Sequence, residues 1–471
     1  MNRRIFVKDS TLMGLGLMAF KTTAFAGGGF PVVRTAADKR KFSSPAIEAA
    51  ITEFKKNVKS EELGWLFNNC FPNTLDTTVT YSIKDGKPDT YVITGDIDAM
   101  WLRDSSAQVW PYLSFMNQDR QLQQLVAGVI NHQAKCILKD PYANAFYNDP
   151  DKVGDWAHDV TKMQPGIHER KWEIDSLCYP IRLAHKYWQI TGDPTPFDES
   201  WKTAIALTLK TFKEQQRKEN EGPYSFQRKT SWATDGVPMN GYGYPVKPNG
   251  LICSAFRPSD DATIYMYLVP SNFFAVVSLK QAAAMVKSIH KDEALATELS
   301  ALAAEVETAL KKYAIINHPQ YGTIYAYEVN GYGSYNLMDD ANVPSLLGLP
   351  YLNALSKEDP IYQNTRKMLL SLNNPFFFKG TAGEGIGGPH AGKDMIWPLG
   401  ITIRGLTSLH DEEIKHCIAM LKSSNAGTGF MHESFNKDDA ANFSRPWFAW
   451  ANTLFGEFLW ETYKTKPQLL V

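Results

Sequence analysis

The sequence predicts an all-α fold, an (α/α)6 barrel with small inserted β-hairpins. Three observations lead there. Amphipathic helical stripes recur along most of the chain, they come in pairs joined by short turns, and successive pairs are separated by long loops rich in glycine and aromatic residues. About six such pairs with no fixed repeat period point to a closed ring of helical hairpins rather than an α-solenoid.

Taken in order, Ser44-Pro45 supplies an N-cap and a first-turn proline for a helix over 45–58, with Ile47, Ile51, Phe54 and Val58 on one face. Paired stretches follow at 104–116 with 119–137, 175–190 with 198–215, 271–289 with 292–313, and 396–408 with 411–423; Asp119 and Asp292 stand as caps. Further helices are expected over 359–372 and 446–463. Strand signals are local. Val79–Ile83 turns at Asp85-Gly86 into Thr90–Ile93, a hairpin, and Gly322 to Tyr332 reads as a second one. The long loops lie at 140–172, 218–262, 373–395 and 425–445, and connections of that length in a compact domain usually carry function.

Composition narrows the class. With 471 residues and 44% hydrophobic content the chain can bury a large core, and Lys+Arg 49 against Asp+Glu 50 offers no basic surface for nucleic acid. The 12 Trp, 21 Tyr and 25 Phe suit both a helical core and a cleft that stacks on sugar rings. Five scattered cysteines, Cys70, Cys136, Cys178, Cys253 and Cys417, read as small buried apolar residues. At the N-terminus, Arg3-Arg4, the short apolar run Leu12–Phe20 and Ala24-Phe25-Ala26 resemble a twin-arginine export signal over residues 1–26, ahead of a catalytic domain over 40–466. The apolar run is too short to span a bilayer and no second span follows, so the expectation is a bacterial periplasmic or otherwise exported protein with no membrane span in the mature chain.

The chemistry concentrates in loops that mix carboxylates with aromatics and arginine. Thr94–Ser105 holds Asp96, Asp98, Trp101, Arg103 and Asp104, of which Asp104 or Ser105 could serve simply as a helix cap. Arg257–Ala262 holds Asp260 and Asp261, one free to face a pocket while its neighbour caps or pairs with Arg257. Gly429–Phe435 holds His432 and Glu433, the latter either an ion-pair partner of Arg445 or a carboxyl with a tuned pKa. Gly387–Pro398 holds His390 and Asp394, and smaller clusters stand at Glu173/Asp175 and Asp339–Asn342. Carboxyls from separate loops are what glycoside hydrolysis needs, one to protonate the leaving oxygen and one to activate water. Other chemistries lack their signatures: no HExxH, P-loop or GxSxG is present, and His158 and His168 have no zinc-ligand spacing.

The stretches 94–113 (TGDIDAMWLRDSSAQVWPYL), 256–262 (FRPSDDA), 338–347 (MDDANVPSLL), 388–400 (GPHAGKDMIWPLG) and 429–435 (GFMHESF) together resemble glycoside hydrolase family 125. The resemblance implies an (α/α)6 barrel that removes non-reducing-end α-1,6-linked mannose with inversion, without metal or other cofactor, from α-1,6-mannosides or fragments of mannan and N-glycans. It puts the general acid in FRPSDDA and the general base in GFMHESF, where Glu433 is the one carboxylate. Asp260 is the choice for the acid, with Asp261 its rival and otherwise a substrate-binding residue. Asp96, Asp98, Trp101, Arg103, Asp104, Asp340, Asn342, His390, Asp394 and His432 are expected to line the sugar subsite. Two alternatives stay open on the residues: another inverting (α/α)6 exo-glycosidase acting on α-glucosides, and a non-catalytic carbohydrate-binding protein.

Overall fold

A computed structural model describes residues 29–471; the leader read at 1–26 lies outside the described residues. Its helices are α1 (Pro45–Asn57), α2 (Glu61–Cys70), α3 (Asn73–Thr77), α4 (Leu102–Val109), α5 (Arg120–Lys139), α6 (Ile174–Thr191), α7 (Glu199–Gln215), α8 (Val269–Met285), α9 (Glu293–Tyr313), α10 (Pro360–Leu369), α11 (Pro398–Leu406), α12 (Asp411–Ser423) and α13 (Ala449–Thr465). Every residue of α4 is buried, and α6, α8, α11 and α13 are buried around most of their circumference. These form the inner ring. Their partners α5, α7, α9 and α12 bury one stripe only, such as Leu122, Leu125, Val129 and Ile137 on α5 or Leu299, Leu302, Val306 and Leu310 on α9, and they form the outer ring. Buried-all-round against buried-on-one-stripe is the difference between a helix packed on every side and one that faces water.

Between α8 and α11 the inner position is filled not by a regular helix but by the buried turns of residues 338–354, in front of α10. The Asp339 carboxylate accepts from the backbone N–H groups of Leu346 and Leu347, Tyr179 donates to the Val343 carbonyl at 2.8 Å, and Tyr362 donates to the Leu347 carbonyl at 2.9 Å. Side chains thus satisfy backbone groups that a helix would have satisfied internally. The ring closes where α1 and α2 meet α13 through a stack of aromatic rings: Phe67 lies 4.1 Å from Phe54, 4.7 Å from Phe71 and 6.1 Å from Trp460, centroid to centroid. Phe67→Ala is expected to cost about 3–5 kcal/mol, measured by denaturant unfolding, because the cavity opens at the seam of the barrel.

Several local expectations hold. Ser44 accepts from the Ile47 N–H with Pro45 opening the helix, and Asp119 and Asp292 cap α5 and α9. Strands β1 (Val79–Lys84) and β2 (Lys87–Val92) pair antiparallel around Asp85-Gly86, both at positive φ. All five cysteines are buried and unpaired. Other expectations need correction. The helix expected over 104–116 starts at Leu102, stops at Val109 and continues as 3₁₀ turns through Gln118, because Pro111 has no N–H to continue the ladder. Helices α2 and α3 escaped notice because Gly64 and the Asn68-Asn69 pair dilute the apolar pattern of this stretch.

The remaining strands are short and brace the loops. Strand β3 (Met100–Trp101) pairs with β4 (Ala145–Phe146), which pairs with β5 (Ile167–Glu169). Strand β6 (Tyr267–Leu268) opens the next set; β7 (Ile315–His318) and β8 (Gly322–Tyr325) form a hairpin of their own, while β9 (Glu328–Val329) lies between β6 and β10 (Tyr335–Asn336). The hairpin expected within 322–332 is therefore wrong in its pairing: Gly322–Tyr325 turns back on the residues before it. Strands β11 (Phe377–Lys379) and β12 (Glu384–Ile386) pair, and β13 (Met395–Ile396), β14 (Ser434–Asn436) and β15 (Asp439–Ser444) make the last sheet. Among the described residues no helix is long and apolar enough to cross a membrane.

Candidate active site

Each outer helix returns the chain antiparallel, so the inner helices all run the same way and their N-termini meet at one mouth. The acidic loops are the segments that lead into those N-termini. Strands β3, β6 and β13 run into α4, α8 and α11, and each is pinned in its own three-stranded sheet. Arg103 and Asp104 sit in the first turn of α4, Glu173 and Asp175 at the start of α6, Asp260 and Asp261 ahead of α8, Asp394 ahead of α11, and Glu433 and Arg445 ahead of α13. Helix N-termini carry partial positive charge, which favours carboxylates there.

The ionisable side chains of these loops fall into two groupings. In the first, Asp260 adopts a left-handed backbone at φ 66°, a conformation that Asp tolerates but that costs energy unless its surroundings impose it. Its Oδ1 accepts from Arg103 Nη2 and from Asn144 Nδ2, both at 3.3 Å, and its backbone carbonyl accepts from Lys171 Nζ at 2.8 Å. Lys171 is fully buried and also binds Asp235 at 2.7 Å and Glu169 at 3.2 Å, while Arg228 ties Asp159, Glu169 and Asp235 together. This buried ionic web holds the acid loop from behind. Burial by itself would raise the Asp260 carboxyl, but Arg103, Lys171 and His390, with a hydrogen bond from Glu173, outweigh it and hold it well below the usual carboxylate range. The Glu173 carboxyl moves the opposite way, driven well up by burial and by the charges of Asp260 and Asp175, with Arg103 opposing.

In the second grouping, Glu433 accepts from Ser444 Oγ at 2.9 Å and from Arg445 Nη1 at 3.3 Å. Burial would raise this carboxyl; Arg445, His390 and the Ser444 hydroxyl together bring it below its ordinary value. Arg445, itself at φ 50°, also donates to the Thr94 carbonyl at 3.1 Å and to Asp96, so it joins the first acidic loop to the last. Gly95 makes room for it: at φ +115°, a Cβ there would lie 3.3 Å from Arg445 Nη2. The imidazole of His390, packed against Trp397, favours the ionised forms of Asp260, Asp261 and Glu433.

The other candidates divide. Asp340 is buried, accepting from Ser259 Oγ at 2.7 Å and from Asn342. His432 stacks on Phe443 with centroids 3.8 Å apart and binds the Pro446 carbonyl through Nδ1; burial lowers its pKa and favours the neutral ring. Asp394 is half-buried at φ 65°, and Trp101 is buried against His168. Asp98 is not gathered in: its side chain is 73% exposed and pairs with Lys152 at the surface. Asp96 is half-exposed and reaches the site only through Arg445. Asp104 is no cap, since α4 starts two residues before it; its carboxylate pairs with Arg103 at 3.4 Å and accepts from Thr94. Nor does either aspartate of the 256–262 loop pair with Arg257, which binds Glu328 at 2.7 Å; Asp261 accepts from Thr234 at 2.6 Å and from Ser259. Sequence reasoning missed Asn144, Lys171 and Arg228. The run His168-Glu169-Arg170-Lys171-Trp172-Glu173, charge-dense and ahead of a helix, was the signal for Lys171.

Comparison with known proteins agrees with this geometry. A family model described as metal-independent alpha-mannosidase (GH125) matches residues 60–460. A Schizosaccharomyces pombe protein, the meiotically up-regulated gene 157 protein, is 40% identical over 459 residues, covering 93% of this chain and 90% of that one. A Streptococcus pneumoniae metal-independent α-mannosidase, solved in a non-productive complex with α-1,6-mannobiose, is 39% identical with a TM-score of 0.87, covering 90% of this chain and 100% of that chain. A bacterial glucoamylase solved with acarbose is only 14% identical with a TM-score of 0.55, covering 89% of this chain and 59% of its own, and it shows the shared (α/α)6 fold alone. An (α/α)6 ring with carboxyls gathered at its inner N-termini, matched along 60–460, makes this chain a member of the metal-independent α-mannosidases, glycoside hydrolase family 125.

Proposed function

We propose that the chain is an inverting exo-α-1,6-mannosidase with Asp260 as general acid and Glu433 as general base. The observation that carries this reading is the pair of unlike carboxyls on loops far apart in sequence. Arg445 favours the ionised form of Glu433, Asp260 lies in a cluster rich in carboxyls, and the charge of His390 acts on both. Inversion requires that pairing, with a gap of about 6.5–9.5 Å for water between base and sugar.

The mannose would sit against groups that the protein leaves unpaired. Among the described residues, the indole Nε1 atoms of Trp101 and Trp397, Nδ1 of His390 and Nε2 of His432 have no hydrogen-bond partner. Read as donors and acceptors for the sugar hydroxyls, these atoms gain the partners a buried polar group needs. Asp340, Asn342 and Asp394 add acceptors on the same side. Asp260 donates its proton to the glycosidic oxygen as the C1–O bond breaks; Glu433 takes a proton from the water whose oxygen attacks C1 from the opposite face. The α-1,6 preference is supported by the mannobiose complex of the Streptococcus pneumoniae relative. Incubation with α-1,6-mannobiose followed by NMR is expected to show β-mannose first, mutarotating afterwards. Initial α-mannose would rule out inversion, and no mannose release would rule out the substrate.

The acid limb of the pH profile follows from Arg445. Because Arg445 brings the Glu433 carboxyl below its ordinary value, kcat/KM is expected to hold to a lower pH than an unperturbed glutamate base would allow. In Arg445→Ala the charge that stabilises the ionised form is gone, the Glu433 pKa rises, and the acid limb moves to higher pH. An unmoved limb would exclude Glu433 as its source.

We also infer export, with residues 1–26 as a removable leader ahead of a single catalytic domain over 40–466, from the Arg3-Arg4 pair, the short apolar run and Ala24-Phe25-Ala26. The intact mass of protein recovered from the native host tests this: a mature chain beginning near Gly27 is expected, and a full-length cytoplasmic chain would refute it.

A further inference from the structure

A general acid must carry a proton when substrate arrives, yet Asp260 accepts from Arg103 and Asn144 and has every electrostatic reason to be ionised. The missing proton has to be held nearby. Arg103 is ringed by Asp104 at 3.4 Å, Glu173 at 2.6 Å, Asp175 at 3.5 Å and Asp260 at 3.3 Å, one cation against four carboxyl groups. Lys171 and Arg228, behind the acid loop, are engaged with Glu169, Asp235 and Asp159. His390 and His168 are the nearby imidazoles, His168 packing against Trp101. A buried site cannot hold so many uncompensated negative charges, so some of the carboxyls are neutral.

Hydrogen bonding tells which ones. Asp104 receives the Thr94 hydroxyl and Asp260 receives two N–H donors. Asp175 has only the long Arg103 contact at 3.5 Å, and Glu173 has no donor on Oε1, although its Oε2 accepts from Arg103 at 2.6 Å and from Ser176 at 2.8 Å. Glu173 and Asp260 lie side by side on the Arg103 guanidinium, Glu173 Oε2 2.6 Å from Nη1 and Asp260 Oδ1 3.3 Å from Nη2, and neighbouring buried carboxyls on one cation favour a proton on one of them.

We propose that Glu173 is a positioning residue for the acid: it holds the proton in the empty site and delivers it to Asp260 for donation to the leaving oxygen. The proposal rests on the reading of Asp260 as general acid. The step balances. The O–H bond of Glu173 breaks as an O–H bond forms on Asp260, and the negative charge moves to Glu173. Arg103 contacts both carboxyls and neutralises whichever is charged. Asp260 then gives the proton to the glycosidic oxygen, whose bond to C1 breaks, and solvent returns a proton to the pair after product leaves.

Glu173→Gln tests it. The amide keeps the size and still donates to Asp260, but it has no proton to transfer, so Asp260 stays ionised. Expected is a fall of about 10²-fold or more in kcat/KM on α-1,6-mannobiose, with loss of under about threefold on 2,4-dinitrophenyl α-mannoside, whose leaving group needs no proton. Equal losses on both substrates, or full activity on mannobiose, would overturn the proposal. Glu173→Asp, which keeps a titratable group but draws it away from Asp260, is expected to lie between wild type and Gln on mannobiose and near wild type on the aryl substrate; it decides the matter if Glu173→Gln does not fold, equal losses again counting against the idea. Asp260→Asn run alongside separates the two readings. If that variant shows no dependence on the leaving group, the assignment of the acid fails; if it does and Glu173→Gln does not, only the role of Glu173 falls.

Discussion

Glu433→Gln is expected to lower kcat on α-1,6-mannobiose by about 10³-fold or more, with little change in KM or in the unfolding midpoint. The base is lost completely, because an amide cannot take the proton of the attacking water. The shape survives: the Gln carbonyl oxygen can accept from Arg445 while its amide N–H donates to Ser444 Oγ, so the loop ahead of α13 keeps both contacts. Arg445 would keep Asp96 and the Thr94 carbonyl as partners, so the junction between the first and last acidic loops stays closed. The loss should be equally severe on aryl mannosides, since water attack is needed whatever the leaving group. Added azide, a nucleophile that needs no base, should restore turnover and yield the β-mannosyl azide. Turnover within tenfold of wild type would remove Glu433 from the mechanism.

Asp260→Asn is expected to show a different pattern. On mannobiose the loss should reach about 10²–10⁴-fold, because the departing sugar alkoxide leaves without a proton. On 2,4-dinitrophenyl α-mannoside most of the activity should remain. Asn also tolerates the left-handed backbone that Asp260 adopts at φ 66°, so the loop should fold unchanged and the Lys171 bond to the backbone carbonyl should persist. Should Asp261→Asn instead reproduce the leaving-group pattern, the acid is its neighbour. The geometry argues against that: the Asp261 carboxylate is fully buried and already engaged by Thr234 and Ser259, whereas the Asp260 side chain is 15% exposed toward the mouth.

Much of the helical frame was legible because caps and stripes are local. Ser44, Asp119 and Asp292 each announced a helix within a turn of its true start, and an amphipathic stripe is a property of neighbouring residues only. The inner position between α8 and α11 was not legible. Residues 338–354 are buried without being helical, held by Tyr362 on the following helix and by Tyr179, which comes from α6, far away in the chain. The same limit applies to the site. A carboxylate-rich loop ahead of a helix marks itself in sequence, which is why Asp260, Glu433, Asp340 and His390 stood out. Asp98 stood out equally and is a surface ion pair, since nothing within its loop says which way a side chain will face.

By itself, then, the sequence determined the all-α architecture, the family and the loops that carry chemistry, all of which depend on patterns a few residues long. Tertiary structure alone decided which carboxyls share a cation and which lie at the surface. That outcome depends on the distances from Arg103 to Glu173 and Asp260, and from Arg445 to Glu433, between residues brought together only when the ring closes. Burial strengthens each of those interactions by removing water, and burial is a property of the whole fold.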